Sequence, residues 1–342
     1  MSIQGRKRDH IELCTSGDVH YRKQSGFARY DFNHNALPEV NLADVSTEAQ
    51  LLGRTFPFPL FISSMTGGYS EAGSINSMIA TFCESANLPF GVGSQRVMLE
   101  DTTSADTFSI VRDLAPNAFI AANIGGCQLI DNPGSSFADT LIDPIRADAI
   151  IVHLNPLQEL IQQEGDRNFA GIEEGISQLI TQTELPVIVK ETGAGISGDV
   201  AKRLLALGVQ VIDIAGSGGT SWARVEHLRQ SDQDQRGQFD EWGIPTVDCL
   251  AEITELRETF RFGLIASGGV RTPFDIIKAV ALGADFTAMA QPVLKALKQG
   301  GMARLESEFS SWVETSKKVL TLLGCRSLQE LTPNHLRIIR DT

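Results

Sequence analysis

The chain has 342 residues, with 29 Lys and Arg against 42 Asp and Glu, a net charge of −13, and 42% hydrophobic residues. So acidic a chain repels nucleic acid and anionic membrane surfaces, which excludes both as partners, and it can hold an anionic small molecule only where cations gather locally. Five cysteines without C-x-x-C spacing fit neither a disulfide framework nor a zinc site, the opening MSIQGRKRDHIELC lacks the apolar core of a signal peptide, and no apolar run approaches a membrane span; a cytoplasmic protein is expected.

In chain order, residues 1–57 are polar with scattered aromatics and could by composition be a disordered leader. From residue 58, short apolar runs alternate with longer amphipathic stretches. The runs are 58–65 (FPLFISSM), 89–95, 118–124, 148–155, 185–191, 209–216, 262–269 and 285–292. Most are rich in Val, Ile and Phe and continuously apolar, as parallel strands buried on both faces are. Between them the pattern predicts helices over 71–87, over 197–208 with Ser197 as N-cap, and over 272–283 with Thr272 as N-cap and Pro273 at the first helical position. Eight βα units in succession predict a closed TIM-type (βα)8 barrel over 58–342, with an open doubly wound sheet as the alternative. Residues 217–244 form a charged insertion suited to a lid, and 301–323 an amphipathic capping helix.

Active sites of such barrels lie at the C-terminal ends of the strands. There the sequence places Ser64-Met65-Thr66, Ser94 with Arg96, Asn123, His153-Leu154-Asn155 with Gln158 and Glu159, Lys190, Gly218-Gly219-Thr220, Gly268-Gly269 with Arg271, and Ala290-Gln291. The ring is almost all neutral and polar, with no Ser-His-Asp order and no close carboxylate pair. It suits holding a large polar cofactor better than hydrolysis. The two consecutive glycine loops let main-chain N–H groups approach a phosphate. Lys190 ends an apolar strand. It either pairs with Glu191 or Asp213, faces an electron-rich flavin edge, or forms a Schiff base; the amide-rich ring favours the flavin role. Arg6-Lys7-Arg8 with His10 forms a basic cluster that alone would be a solvated tail. With Arg96 it could clamp a diphosphate. Glu159 beside an anion calls for Mg²⁺ between them, or else is a surface helix-start residue.

The ordered series Arg6-Lys7-x-x-His10, Met65-Thr66-Gly67-Gly68, Gly93-Ser94-Gln95-Arg96, Asn123-Ile124-Gly125, His153-x-Asn155-x-x-Gln158-Glu159, Glu164-Gly165-Asp166, Val189-Lys190-Glu191, Gly216-Ser217-Gly218-Gly219-Thr220, Trp242-Gly243 and Ser267-Gly268-Gly269-Val270-Arg271-Thr272-Pro273 resembles type 2 isopentenyl-diphosphate isomerase over nearly the whole chain. The resemblance implies conversion of isopentenyl to dimethylallyl diphosphate in isoprenoid biosynthesis. It further implies reduced FMN as acid and base, Mg²⁺ on the diphosphate, NADPH as flavin reductant, and a homotetramer or homo-octamer. By it, FMN contacts fall on Ser64, Met65, Thr66, Ser94, Asn123, Lys190, Thr220, Gly268, Gly269, Arg271, Ala290 and Gln291. Substrate contacts fall on Arg6, Lys7, His10, Ser94, Arg96, Asn155 and Gln158, catalysis on Gln158 and His153, and the metal on Glu159. The leader 1–57 thereby becomes part of the substrate site. Three positions depart from the pattern: Ala215 where Ser is frequent, Gln163 where Pro is common, and the variable Gln291, expected to contribute main chain.

Rivals were a flavin 2-hydroxy-acid oxidase, which needs a His base near the sixth to eighth strands where none stands in sequence, and an inosinate-dehydrogenase-like barrel, which needs a Cys within 216–222. A non-catalytic phosphate-binding barrel is the third.

Overall fold

A computed structural model describes residues 3–65, 67, 70–100, 105–131, 135–229 and 237–339. Eight parallel strands close into a barrel: β1 (Leu60–Ile62), β2 (Phe90–Gly91), β3 (Ile120–Gly125), β4 (Ala149–Leu154), β5 (Val187–Glu191), β6 (Val211–Asp213), β7 (Gly263–Ser267) and β8 (Phe286–Met289). Seven fall inside one of the eight predicted runs, and β3 runs one residue past the end of the third, 118–124.

The apparently continuous apolar runs hide a two-residue alternation. Phe61, Ala121, Ile151, Ile188, Val211 and Ile265 fill the barrel interior together with Phe56 and Phe119. Leu60, Ala122, Val152, Val189, Ile212 and Leu264 face outward under the helices. Both faces are buried, so neither needs polar residues. Each buried Val, Leu, Ile or Phe among them contributes about 1.5–3 kcal/mol by leaving water.

The N-terminal end of the barrel is plugged by a short antiparallel pair, Ala49–Leu51 against Arg54–Phe56. The Phe56 ring meets Phe119 and Phe286 edge-on at 6.2 and 5.6 Å. With that end sealed, only the C-terminal end opens. There the inward positions turn polar: Ile151 is followed by His153, Ile188 by Lys190, Val211 by Asp213 and Ile265 by Ser267. Strand register sets His153, Lys190 and Asp213 side by side.

The helices that shape the mouth are α1 (Ile3–Ser16), α2 (Ser70–Ala86), α3 (Pro156–Ile161), α4 (Gly198–Ala206), α5 (Trp222–Arg229), α6 (Pro273–Ala281) and α7 (Gln291–Leu323). Ser197 caps α4 by accepting from the Val200 N–H. Thr272 and Asp275 form a reciprocal capping box on α6, with Pro273 in its first turn. The predicted capping helix 301–323 is the second part of α7, which kinks at Gly300 and Gly301. The leader is ordered over its described residues. Its α1 packs against α5 and α7, at the open end of the barrel.

Candidate functional site

Every expected site residue whose side chain is described lines one cavity of about 280 Å³ at the C-terminal end of the barrel. Thr66 and Gly68 lie outside the described residues, as does the side chain of Arg6. Lys7, His10, Ile11 and Cys14 of α1 form part of the wall.

The side after β6, β7 and β8 is made of main chain. Gly268 (φ 94°) and Gly269 (φ 75°) have the left-handed backbone that favours glycine. A Cβ on Gly268 would lie 2.0 Å from the Gly216 carbonyl oxygen, and one on Gly219 would lie 2.7 Å from the Gly269 nitrogen. The two loops interlock with room for nothing larger. Arg271 donates to the Gly218 carbonyl at 2.8 Å, and Thr246 Oγ1 donates to the carbonyls of Ser267 and Gly268. The Gln291 side chain donates to the Cys14 carbonyl at 2.8 Å, so it ties the start of α7 to the end of α1; the sequence had suggested only a main-chain role.

The bottom of the cavity is a buried polar layer. Asn123 donates from Nδ2 to the Val92 carbonyl at 3.0 Å and accepts from His153 Nδ1 at 2.8 Å. An amide oxygen can only accept, so His153 carries its proton on Nδ1 and leaves Nε2 bare. Burial, then Lys190 and Lys7, push the His153 pKa down to about 3, and the ring is neutral. Gln95, fully buried, holds this arrangement from below: its amide donates to the Leu141 carbonyl and accepts the Asn123 N–H.

Lys190 donates to the Glu191 carbonyl at 2.7 Å rather than to a carboxylate. Burial lowers its pKa, opposed by Asp213 and Glu191. Burial raises that of Asp213, opposed by Lys190 and by the Ser267 hydroxyl that donates to it. Ala215, where a flavin hydrogen bond could be missing, has its N–H bound to Ser267 Oγ at 3.1 Å.

The side after β4 is made of side chains. Asn155 donates to Glu159 Oε1 at 2.9 Å and to Gln158 Oε1 at 3.3 Å. Glu159 Oε2 accepts the Asp166 N–H at 2.8 Å, while Asp166 pairs with Arg96 at 3.2 Å. Lys7 reaches into the mouth from α1 and donates to the carbonyls of Gly67 and Ser94 at 2.6 and 3.2 Å.

Gln158 donates to Glu226 Oε1 at 2.9 Å, and His10 meets the same oxygen at 2.9 Å. Arg229 closes on the other oxygen. Burial would raise the Glu226 pKa; His10, Gln158 and Arg229 outweigh it and hold the carboxyl below its ordinary value. Glu226 thus joins the leader, the insertion and the β4 loop, and sequence reasoning passed over it. A signal was present: Trp222, Glu226 and Arg229 recur at helical spacing on one face, and the Trp222 ring stacks edge-on against His10 at 5.1 Å.

The site's donor set fits a flavin: two glycine loops, a buried Lys beside a neutral amide layer, and a buried Ser64 hydroxyl without a hydrogen-bond partner. It fits a divalent cation only as a shared ligand. Among the described residues no three His, Cys, Asp or Glu cluster, so Glu159 would hold the ion together with substrate oxygens.

Barrel and mouth together define an FMN-dependent βα-barrel protein, and the family model described as FMN-dependent dehydrogenase matches residues 6–116 and 146–338. Among solved structures, the flavin-binding domain of baker's yeast flavocytochrome b2 superposes with a TM-score of 0.71 at 19% identity, over 96% of this chain and 82% of that one. A soluble mutant of the (S)-mandelate dehydrogenase from Pseudomonas putida gives 0.67 at 15%, over 97% and 99%. At such identities these establish the fold alone.

Sequence relatives narrow the class. The isopentenyl-diphosphate delta-isomerase of Chlorobium luteolum is 43% identical over 100% of this chain and 97% of its own, and that of a Nostoc species 46% over 86% and 84%. The chain belongs to the isopentenyl-diphosphate delta-isomerases, in their FMN-dependent form.

Proposed function

We propose that the protein converts isopentenyl to dimethylallyl diphosphate by a 1,3-allylic proton shift, with reduced FMN and Mg²⁺, in isoprenoid biosynthesis. One observation carries this reading: Gln158, joined through Glu226 to His10 of the leader, stands in the same cavity as Lys190 and the glycine loops. When bound, the reduced flavin supplies ring nitrogens that can give and take a proton.

The chain's own groups do the rest. Lys190 would balance negative charge on the flavin; Ser64, Met65, Thr66, Ser94, Asn123, Thr220, Gly268, Gly269, Arg271, Ala290 and Gln291 would hold the cofactor. Arg6, Lys7, His10, Ser94, Arg96 and Asn155 would hold the diphosphate, and Glu159 would hold the magnesium. Binding energy from that remote group fixes the alkene carbons. Gln158 orients the alkene end. His153, neutral with Nε2 bare, can accept a hydrogen bond but does not donate from that nitrogen. One proton is added at the terminal alkene carbon and one is lost from the allylic methylene on the diphosphate side, so the double bond moves by one carbon and no net redox change occurs; NADPH is needed only to reduce the flavin.

The described parts of the leader 1–57 and of the insertion 217–244 would act as walls that exclude water; residues 1–2 and 230–236 lie outside the described residues. The same reading has the protein act in the cytoplasm as a homotetramer or homo-octamer. An anaerobic assay with isopentenyl diphosphate, FMN, Mg²⁺ and NADPH, omitting one component at a time, tests the scheme. Each omission should abolish turnover, except that dithionite should replace NADPH. Full activity without flavin would overturn it.

A further inference from the structure

Glu164-Gly165-Asp166 follows α3, beyond the residues that would hold substrate or flavin. Each member has a physical use. Glu164 reaches Arg229 at 4.0 Å. Gly165 lets the chain fold back on the end of α3: its N–H donates to the Gln162 carbonyl at 3.1 Å, and a Cβ on it would lie 2.0 Å from the Glu159 carbonyl oxygen. Arg167 fixes the fold-back by donating to the carbonyls of Glu159, Leu160 and Gln162, as basic side chains do at helix C-termini.

The fold-back puts Asp166 at a junction of three consecutive loops. Its N–H donates to Glu159 Oε2, after β4, at 2.8 Å. Its Oδ2 accepts from Arg96 at 3.2 Å and from Gln128 at 3.1 Å. Arg96 opens the short helix Arg96–Glu100 after β2, and Gln128 lies in Gly126–Asp131 after β3. Arg96, Gln128 and Glu159 line the cavity, whereas Asp166 stands behind them.

The Arg96 and Asp166 side chains are 31% and 33% exposed. An ion pair so open to water contributes little to stability. It also works against anion binding: a carboxylate beside Arg96 offsets the attraction of the guanidinium for phosphate, and Glu159 stands on the same wall. A free diphosphate therefore meets two carboxylates and an engaged cation. A divalent cation reverses the balance. Glu159 Oε1 and Oε2 each accept a neutral N–H, from Asn155 and Asp166. An ionised carboxylate has about four acceptor positions, so both oxygens can still meet a metal. The charge of Asp166 then favours the metal, and Arg96 turns to the phosphate oxygens.

We propose that Asp166 is a positioning residue that sets the metal requirement of diphosphate binding: its carboxylate competes with phosphate for Arg96, its N–H aims Glu159, and its charge favours a cation between Glu159 and the diphosphate. This rests on the reading that Arg96 and Glu159 hold a magnesium diphosphate, and it gives a task to a residue that itself stands outside the cavity wall.

The test is calorimetric titration of dimethylallyl diphosphate into the oxidised FMN-loaded protein, which lacks the reduced flavin that turnover needs, once with Mg²⁺ and once with EDTA. Wild type should bind about 100-fold tighter with Mg²⁺. Asp166→Asn keeps the size and the N–H. It should bind several-fold tighter than wild type in EDTA and several-fold weaker with Mg²⁺, so that the gain from the metal shrinks to about tenfold or less. Its melting temperature and flavin spectrum should match wild type, which certifies the fold. Asp166→Asn combined with Arg96→Gln should show no improvement in EDTA, because the cation that Asp166 releases is gone. In turnover, Asp166→Asn should raise the Mg²⁺ half-saturation about tenfold.

If Asp166→Asn weakens binding equally in both buffers, or alters neither, Asp166 is only a strut of the loop and the proposal is wrong. Glu159→Gln separates that failure from a failure of the metal reading: it should abolish the gain from Mg²⁺ in a protein that still binds in EDTA. If Glu159→Gln keeps the full gain, or wild type has none, the metal does not sit at Glu159 and the proposal falls with that reading.

Discussion

After β6, β7 and β8 the mouth is lined by main chain, and the residues that matter are glycines of adjacent loops. After β4 it is lined by side chains, and the groups that meet there come from positions as far apart as His10, Gln158 and Glu226. The first side needs close approach of backbone to an anion, so its requirement is local: an absent Cβ. The second needs a neutral and charged network of defined shape, so its requirement is tertiary. One half tolerates no added atom; the other tolerates atoms but not lost partners.

The largest break should come from the backbone half. Gly268→Val places a branched side chain at φ 94° against the Gly216 carbonyl. Strain of about 1–3 kcal/mol plus the clash should abolish flavin retention, so the purified protein should be colourless. A yellow variant would show that the loops yield.

In the side-chain half the flavin should stay and turnover should fall. Gln158→Ala should cut kcat by about 100-fold with the flavin spectrum intact; unaltered turnover would remove Gln158 from the chemistry. Glu226→Gln keeps the shape but weakens the links to His10 and Arg229, and kcat should drop by about tenfold. If the loss appears in KM alone, Glu226 serves only to close the wall.

The contrast also explains what was legible. Eight strands and two glycine loops were visible because each depends on residues adjacent in the chain. The inward polar layer was half visible: His153 and Lys190 were seen as strand ends, but their register with Asp213 was not. Glu226 was missed as a site residue because the partners that bring it to the site, Gln158 and His10, are 68 and 216 positions away; the local signal was its helical spacing with Trp222 and Arg229 alone. Lys7 and His10 were visible as a basic cluster, but only the resemblance favoured a clamp, since nothing local in a polar leader separates a clamp from a solvated tail. The exclusion of a His near the last strands held for those strands in sequence, yet the fold brings His20 from the leader beside Thr220.

A smaller effect lies at the contact between halves. Lys7 spans from α1 to the carbonyls of Gly67 and Ser94. Arg6→Ala with Lys7→Ala should raise KM for isopentenyl diphosphate about tenfold, through lost charge-assisted contacts, and leave FMN affinity unchanged. An unaltered KM would return the cluster to the solvated tail.

The smallest effect concerns the layer beneath both halves. His153 has its pKa pushed from 6.5 to about 3 by burial, then by Lys190 and Lys7. The unfolded chain binds a proton there below pH 6.5, while the folded chain does not until near pH 3. Stability from the neutral ring is therefore present above 6.5 and is lost progressively as pH falls toward 3. His153→Gln removes that titration and keeps a neutral group near Asn123. Its urea midpoint should fall less than that of wild type between pH 7 and pH 4.5. An equal fall would mean that the imidazole takes its proton inside the fold. Nε2 would then be a donor rather than an acceptor facing the cavity, and His153 would have to be reassigned from hydrogen-bond acceptor to acid.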